Sequence, residues 1–95
     1  MESFRLVLRV HAVRRMWQRG ITRADVWHVL ETGQVVQNYP DDVLYPSRLV
    51  LGWRDLRPIH VVVADDSSNH LTIVITAYEP DPSEWEPGYV RRKAR

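Results

Sequence analysis

The spacing of hydrophobic residues turns from helical to strand-like at Gly33, and that change limits the fold more than any other feature. Ahead of it, Ala12, Val13, Met16 and Trp17, then Val26, Val29 and Leu30, recur at the three- and four-residue steps of a helix. Beyond it, apolar and polar residues alternate at the two-residue period of a strand. A short alternating run comes before both, with Phe4, Leu6, Leu8 and Val10 on one face and Arg5 and Arg9 on the other. The expected order is therefore one strand, two helices, then strands over 34–39, 48–54, 58–64 and 71–78. That is an α+β class in which an N-terminal strand and two helices accompany an antiparallel sheet, the helices packed on one face.

Local signals set the boundaries. Gly20 suits the left-handed residue that closes a first helix over 11–19. Thr22-Arg23-Ala24-Asp25 has the form of a capping box opening the second, and Gly33 ends it. Trp17 and Trp27 fall within helices, where core packing is the default. Strand parity then assigns faces. A three-residue turn at 55–57 puts Leu49, Leu51 and Trp53 with Ile59, Val61 and Val63, and leaves Arg48, Val50, Gly52 and Arg54 beside His60. A five-residue loop at 66–70 makes Thr76 the neighbour of His60, with Tyr78 further along that face. It also turns Leu71, Ile73, Ile75 and Ala77 inward. Tyr39-Pro40-Asp41-Asp42 closes the first of these strands on a turn. Over 80–88 three prolines rule out a long helix, Trp85 is expected to dock, and 86–95 reads as a frayed basic tail.

Composition narrows the class. Ninety-five residues, 44% hydrophobic and 26% charged, make one domain over 1–95 with a single modest core. The absence of cysteine excludes disulfides, thiolate zinc sites and cysteine nucleophiles. No apolar run approaches the ~20 residues of a membrane helix. Met1-Glu2-Ser3 opens on an acid with no apolar stretch behind it, so no signal peptide and a cytoplasmic protein are expected. Lys93 is the sole lysine among thirteen basic residues. Arg5, Arg9, Arg14, Arg15, Arg19 and Arg23 crowd the first quarter against Glu2, whereas 58–89 holds six acids and no Lys or Arg. A basic N-terminal third suits an anionic partner, nucleic acid or an acidic protein; it equally suits a solvated helix face.

Three constellations could carry chemistry. His11, Arg15 and Arg19 stand at steps of four along one helix stripe. An imidazole beside guanidiniums can move a proton and hold a phosphate, as metal-free phosphodiester cleavage requires; the alternative is an exposed polar face. His60 and Tyr78, with Thr72 and Thr76 and, in the register above, Arg48 and Arg54, could bind RNA by stacking and phosphate contacts, or form the solvent face of a sheet. Tyr45 and Ser47 flank Pro46 just before a strand and could reach a substrate or plug a turn. No metal-ligand spacing, phosphate loop or dinucleotide fingerprint occurs, so neither metal nor cofactor is expected.

Several strings resemble a known family: His11-Ala12-x-x-Arg15-Met16-x-x-Arg19-Gly20-Ile21, Tyr39-Pro40-Asp41-Asp42, Tyr45-Pro46-Ser47-Arg48-Leu49-Val50-Leu51-Gly52, Arg57-Pro58-Ile59-His60-Val61-Val62 and Tyr78-Glu79-Pro80-Asp81. In this order, from about His11 to Trp85, they resemble the bacterial domain-of-unknown-function family DUF4258. Leu56 departs from the glycine more usual there. That family in turn looks like the RelE/ParE toxin superfamily, above all its BrnT-like branch. This resemblance implies a toxin-like, metal-independent endoribonuclease of a type II toxin–antitoxin system. RNA or ribosome-bound mRNA and a cognate antitoxin would be its partners. It strengthens the His11–Arg15–Arg19 site, and with the constellations above the expected catalytic residues are His11, Arg15, His60 and Tyr78 and the expected substrate-binding residues Arg19, Tyr45, Ser47 and Arg48. The other class it implies is a non-catalytic protein-binding domain, such as a ParE-like gyrase poison.

Overall fold

The computed structural model describes residues 4–41 and 45–94. Asp42 of the expected turn and Arg95 of the tail lie outside them. The order is β1 (Arg5–Leu8), α1 (Val10–Gln18), α2 (Arg23–Thr32), β2 (Gln34–Tyr39), β3 (Ser47–Arg54), β4 (Arg57–Asp66), a 3-10 turn (Ser67–Asn69) and β5 (Leu71–Tyr78). One five-stranded sheet runs β1-β5-β4-β3-β2. The α+β class and the N-terminal strand are as the periodicity requires. The sheet, however, is mixed: β1 lies parallel to β5, with Leu6 opposite Thr72, and the other three pairings are antiparallel. The physical reason is that two helices separate β1 from the later strands, and a crossover returns the chain to the sheet edge in either direction; alternation alone carries no direction.

Both helices pack on one sheet face. Ala12 and Met16 of α1 and Val26 and Val29 of α2 are buried against Leu6, Val50, Ile59, Val61, Val63, Val74 and Ala77. α2 opens on the expected capping box: Thr22 Oγ1 accepts from the Asp25 N–H at 3.0 Å, and Asp25 Oδ2 accepts from the Thr22 N–H at 2.9 Å. α1 opens on Arg9 with no side-chain cap and no acid in its first turn. Its other end is held instead. Gly20 turns left-handed at φ +64°, and Arg57 donates to the carbonyls of Arg19 and Gly20, both at 2.8 Å, while pairing with Glu79. These bonds satisfy carbonyls a helix end would otherwise leave open.

The register departs from the parity reading. The β3–β4 link has two residues, Asp55 and Leu56, so Arg54 pairs with Arg57 and Leu51 with His60. Asp55 adopts φ +56°, a conformation Asp tolerates better than most residues. One residue fewer in the turn exchanges the faces of β3. Val50 and Gly52 meet the helices, whereas Leu49 and Leu51 share the far face with His60. Arg48 and Arg54 lie on the helix side, bound to Asp65 and to Asp25 respectively. A bulge between Val62 and Val63 shifts β5 as well: Tyr78, not Thr76, stands opposite His60, Val74 is buried, and Ile75 is about half exposed.

The far face has its own cover. Chain 80–94 folds back as a hairpin-like turn, with Glu86 N–H to Arg91 O at 2.8 Å, Lys93 N–H to Glu84 O at 2.9 Å, and a bridge between Trp85 and Arg92. Trp85 docks as expected and is 4% exposed. Over the described residues of 86–95, Glu86, Tyr89, Arg91 and Lys93 take part in backbone hydrogen bonds. Trp17 and Trp27, by contrast, are exposed rather than core residues. No helix among the described residues is long and apolar enough to cross a membrane.

α2 packs tightly on the sheet at Gly52, where an added Cβ would stand 2.8 Å from Val29 Cα. Gly52→Ala is expected to cost about 1–3 kcal/mol through overpacking, measured by urea unfolding, while Gly20→Ala should act only through its backbone angle.

Candidate functional site

α1 sorts its side chains by angle at 100° per residue. Ala12 and Met16 face the sheet. His11, Arg15 and Arg19 flank that line on one side, and Val13 and Trp17 flank it on the other. The expected cationic stripe is present: His11 and Arg15 are exposed, and Arg19 reaches the end of β5. Its Nη1 donates to Ala77 O at 2.8 Å, with Thr76 Oγ1 at 3.4 Å. The stripe spans about 12 Å at 1.5 Å per residue, too long for a single phosphate to meet both ends.

Arg19 opens onto a cleft of about 480 Å³ that it shares with Tyr78, Glu79, Asp81, Glu84 and Arg92, over the edge of Trp85. Two arginines, three carboxylates and a phenol thus meet where α1, β5 and the C-terminal turn converge. Burial holds the Tyr78 hydroxyl above its ordinary pKa of 10.0, so it remains a hydrogen-bond donor at neutral pH. The backbone N–H of Ser83 holds the Asp81 carboxyl below the ordinary 3.8, which keeps it ionised and weakly basic. Arg92 lies over the Trp85 ring, 4.9 Å from its centroid, and 3.9 Å from Glu84.

His60 stands behind this cleft. It is wholly buried. Its ring meets Trp85 edge to face at 4.6 Å and Tyr78 at 5.4 Å. Nε2 lies 2.9 Å from Tyr89 O and Nδ1 3.4 Å from the Tyr78 hydroxyl. A carbonyl accepts only, so Nε2 carries the proton and Nδ1 faces the phenol with its lone pair. With Trp85 seated, the His60 ring contacts no solvent; it touches the cleft through Tyr78 and so positions that side chain.

The other expected residues lie elsewhere. Arg48 is engaged by Asp65, which also accepts from Thr72 Oγ1 at 3.2 Å. Tyr45 hydrogen-bonds the buried Asp66, whose carboxyl is held below the ordinary 3.8 chiefly by the Asn69 side chain. Ser47 is buried at the start of β3. The structure therefore joins Arg19 with Tyr78, backs Tyr78 with His60, and leaves Tyr45, Ser47 and Arg48 on other parts of the sheet. Glu84 and Arg92 belong to the cleft and were not candidates in the sequence; the one available signal was Trp85, an aromatic expected to dock in a segment otherwise rich in acids.

Comparison with known proteins adds one relation. Residues 8–79 match the family described as a domain of unknown function, DUF4258. The chain belongs to that family. Searches of the curated proteins and of the solved structures each return no match. The DUF4258 match covers β1's end, both helices and all later strands and stops at Glu79, so Arg19, His60 and Tyr78 fall inside it and Glu84, Trp85 and Arg92 beyond it. Among the described residues no group of three or more His, Cys, Asp or Glu is placed to hold a metal ion.

Burial keeps the His60 pKa below its ordinary 6.5, outweighing the opposite pull of the Tyr89 carbonyl, and Arg92 adds to the depression. The unfolded chain takes up that proton near 6.5 and the folded chain only at lower pH. The stabilisation is therefore complete above 6.5 and is lost as pH falls below it. Thermal melts should be level from about pH 7 upward and decline toward pH 5. In His60→Gln that decline should flatten, on a lower plateau.

Proposed function

We propose that this DUF4258 domain is a cytoplasmic, toxin-like endoribonuclease whose site is the Arg19–Tyr78–Arg92 cleft. The observation that carries the reading is the anchoring of Arg19 beside Tyr78, at the end of an exposed stripe that continues through Arg15 to His11. In the reaction the ribose 2′-oxygen bonds to the adjacent phosphorus as the P–O5′ bond breaks. The 2′-hydroxyl proton passes to the Glu84 carboxylate, and the departing 5′-oxygen takes a proton from the Tyr78 hydroxyl. Arg19 and Arg92 stabilise charge on the phosphoryl oxygens. Arg15 and His11 hold the neighbouring part of the strand, and His60 sets the Tyr78 ring. The order of elements, a strand, two helices and a largely antiparallel sheet, supports the resemblance to the RelE/ParE toxins, with a cognate antitoxin protein as the matching partner. Fold likeness alone does not assign an activity, so the weight rests on the cleft.

The test is cleavage of a fluorescent single-stranded RNA of mixed sequence beside its 2′-deoxy counterpart. Tyr78→Phe and Glu84→Gln should each lower the rate by about 10²–10⁴ with the fold intact by thermal melt. The deoxy strand should bind and remain uncut. If three phosphates are neutralised, log affinity should fall with log salt at a slope of about −2. RNA bound but uncut by the wild-type chain would instead indicate a binding module. Cutting of the deoxy strand would exclude attack by the 2′-hydroxyl.

A further inference from the structure

The sheet has an open edge at β1. Among the described residues this strand pairs with β5 alone. The Arg5 N–H donates to His70 O on the β5 side, and backbone groups alternate along a strand, so Leu6 and Leu8 turn theirs outward. A bare edge of this kind is a template for another strand.

The surroundings are apolar and aromatic. One groove of about 680 Å³ passes Phe4, Leu6, Arg23 and Trp27, and a second of about 390 Å³ passes Leu8, Val13, Trp17 and Arg23. Arg23 lines both, so they form one track beside β1. Trp17 is 85% exposed, Val13 46% and Trp27 42%. Apolar surface of this size beside an unpaired strand marks an interaction site. The charge around it is mostly positive, with Glu31 the acid that shares a surface with Phe4, Leu6 and Trp27. Arg5, Arg9, Arg14 and Arg23 are exposed, and none pairs with an acid among the described residues.

We propose that β1 is the docking edge for an acidic, extended segment of another protein, which adds to the sheet as a further strand and seats apolar side chains against Trp17 and Trp27. The backbone of β1 supplies affinity, alternate side chains fill the track, and carboxylates meet the arginines. The four cations tell against a second copy of this chain, because two β1 strands would bring Arg5 and Arg9 against their own kind. They do not favour nucleic acid either: it offers no N–H and C=O ladder to Leu6 and Leu8, and no aliphatic side chain for the track. The site lies on the opposite flank of α1 from Arg15 and Arg19, so it is independent of the cleft.

The probe is a peptide of about nine residues alternating Glu with Leu and Val, beside the same peptide with Lys for Glu, and decauridine as the nucleic acid. Amide hydrogen exchange reads the edge directly. The acidic peptide should slow exchange at Leu6 and Leu8 by about tenfold or more and leave β2, the other edge, unchanged. Trp17→Ser should weaken binding about tenfold without altering the melting temperature. Arg5→Glu with Arg9→Glu should reject the acidic peptide and accept the Lys peptide. The proposal is overturned if the acidic peptide at millimolar concentration leaves those two amides unprotected, or if the charge-reversed chain binds it equally well. It is also overturned if decauridine protects them in its place, or if the chain protects them by associating with itself.

Discussion

The hairpin between β3 and β4 turns on two residues, and its pairing decides what every side chain of the central strands faces. Arg54 opposite Arg57 puts Gly52 and Val50 beneath α2 and sends His60 to the other side. The same pairing places Arg57 at the tip of β4, where it reaches the end of α1 and Glu79. A turn one residue longer would exchange both faces of β3 at once: Leu49 and Leu51 would crowd α2 in place of the glycine whose missing Cβ lets Val29 approach. The position of α1, and with it of Arg19, follows from this turn.

Because the register sends apolar residues to both faces, the sheet needs two covers. The helices supply one. The other is the C-terminal turn, built around Trp85, His60 and Tyr78. Aromatic pairs of this geometry are worth about 0.5–1.5 kcal/mol each beyond the area they bury. The hydrogen bond from His60 Nε2 to the Tyr89 carbonyl fixes the turn in one orientation. The candidate cleft is thus composite: one wall is the end of β5, and the other is a segment whose own pairing runs from Glu84 to Lys93.

How much of this was legible in the sequence depended on which force set each feature. Helix periods, the Thr22–Asp25 box and the Gly20 stop are local, and they are where the sequence puts them. Class and element order followed from period alone. Strand faces did not, because parity carries an error of one residue through a whole strand: the length of a turn and the bulge at Val62–Val63 reassigned Arg48, Val50, Leu51 and Ile75. The parallel pairing of β1 left no trace in its alternation. For the site, the His11–Arg15–Arg19 stripe could be read from spacing and the His60–Tyr78 pair from faces. Glu84 and Arg92 could not be, since they reach the cleft only through the fold-back of a segment without periodicity. The exposure of Trp17 was equally hidden, because a helix pattern marks apolar residues without saying how wide a face the sheet can cover.

α1 is fastened unevenly. Its C-terminal end is tied to β4 through Arg57 and to β5 through Arg19, while its N-terminal turn has no cap, no acid, and an exposed Val10. Two and a half turns are too few for a helix to hold itself together by its own hydrogen bonds, so order must spread from the fastened end. Toward His11 the helix is tied by packing alone, through Ala12 against the sheet. Helix α1 is thus held by side-chain hydrogen bonds at one end and by side-chain packing alone at the other.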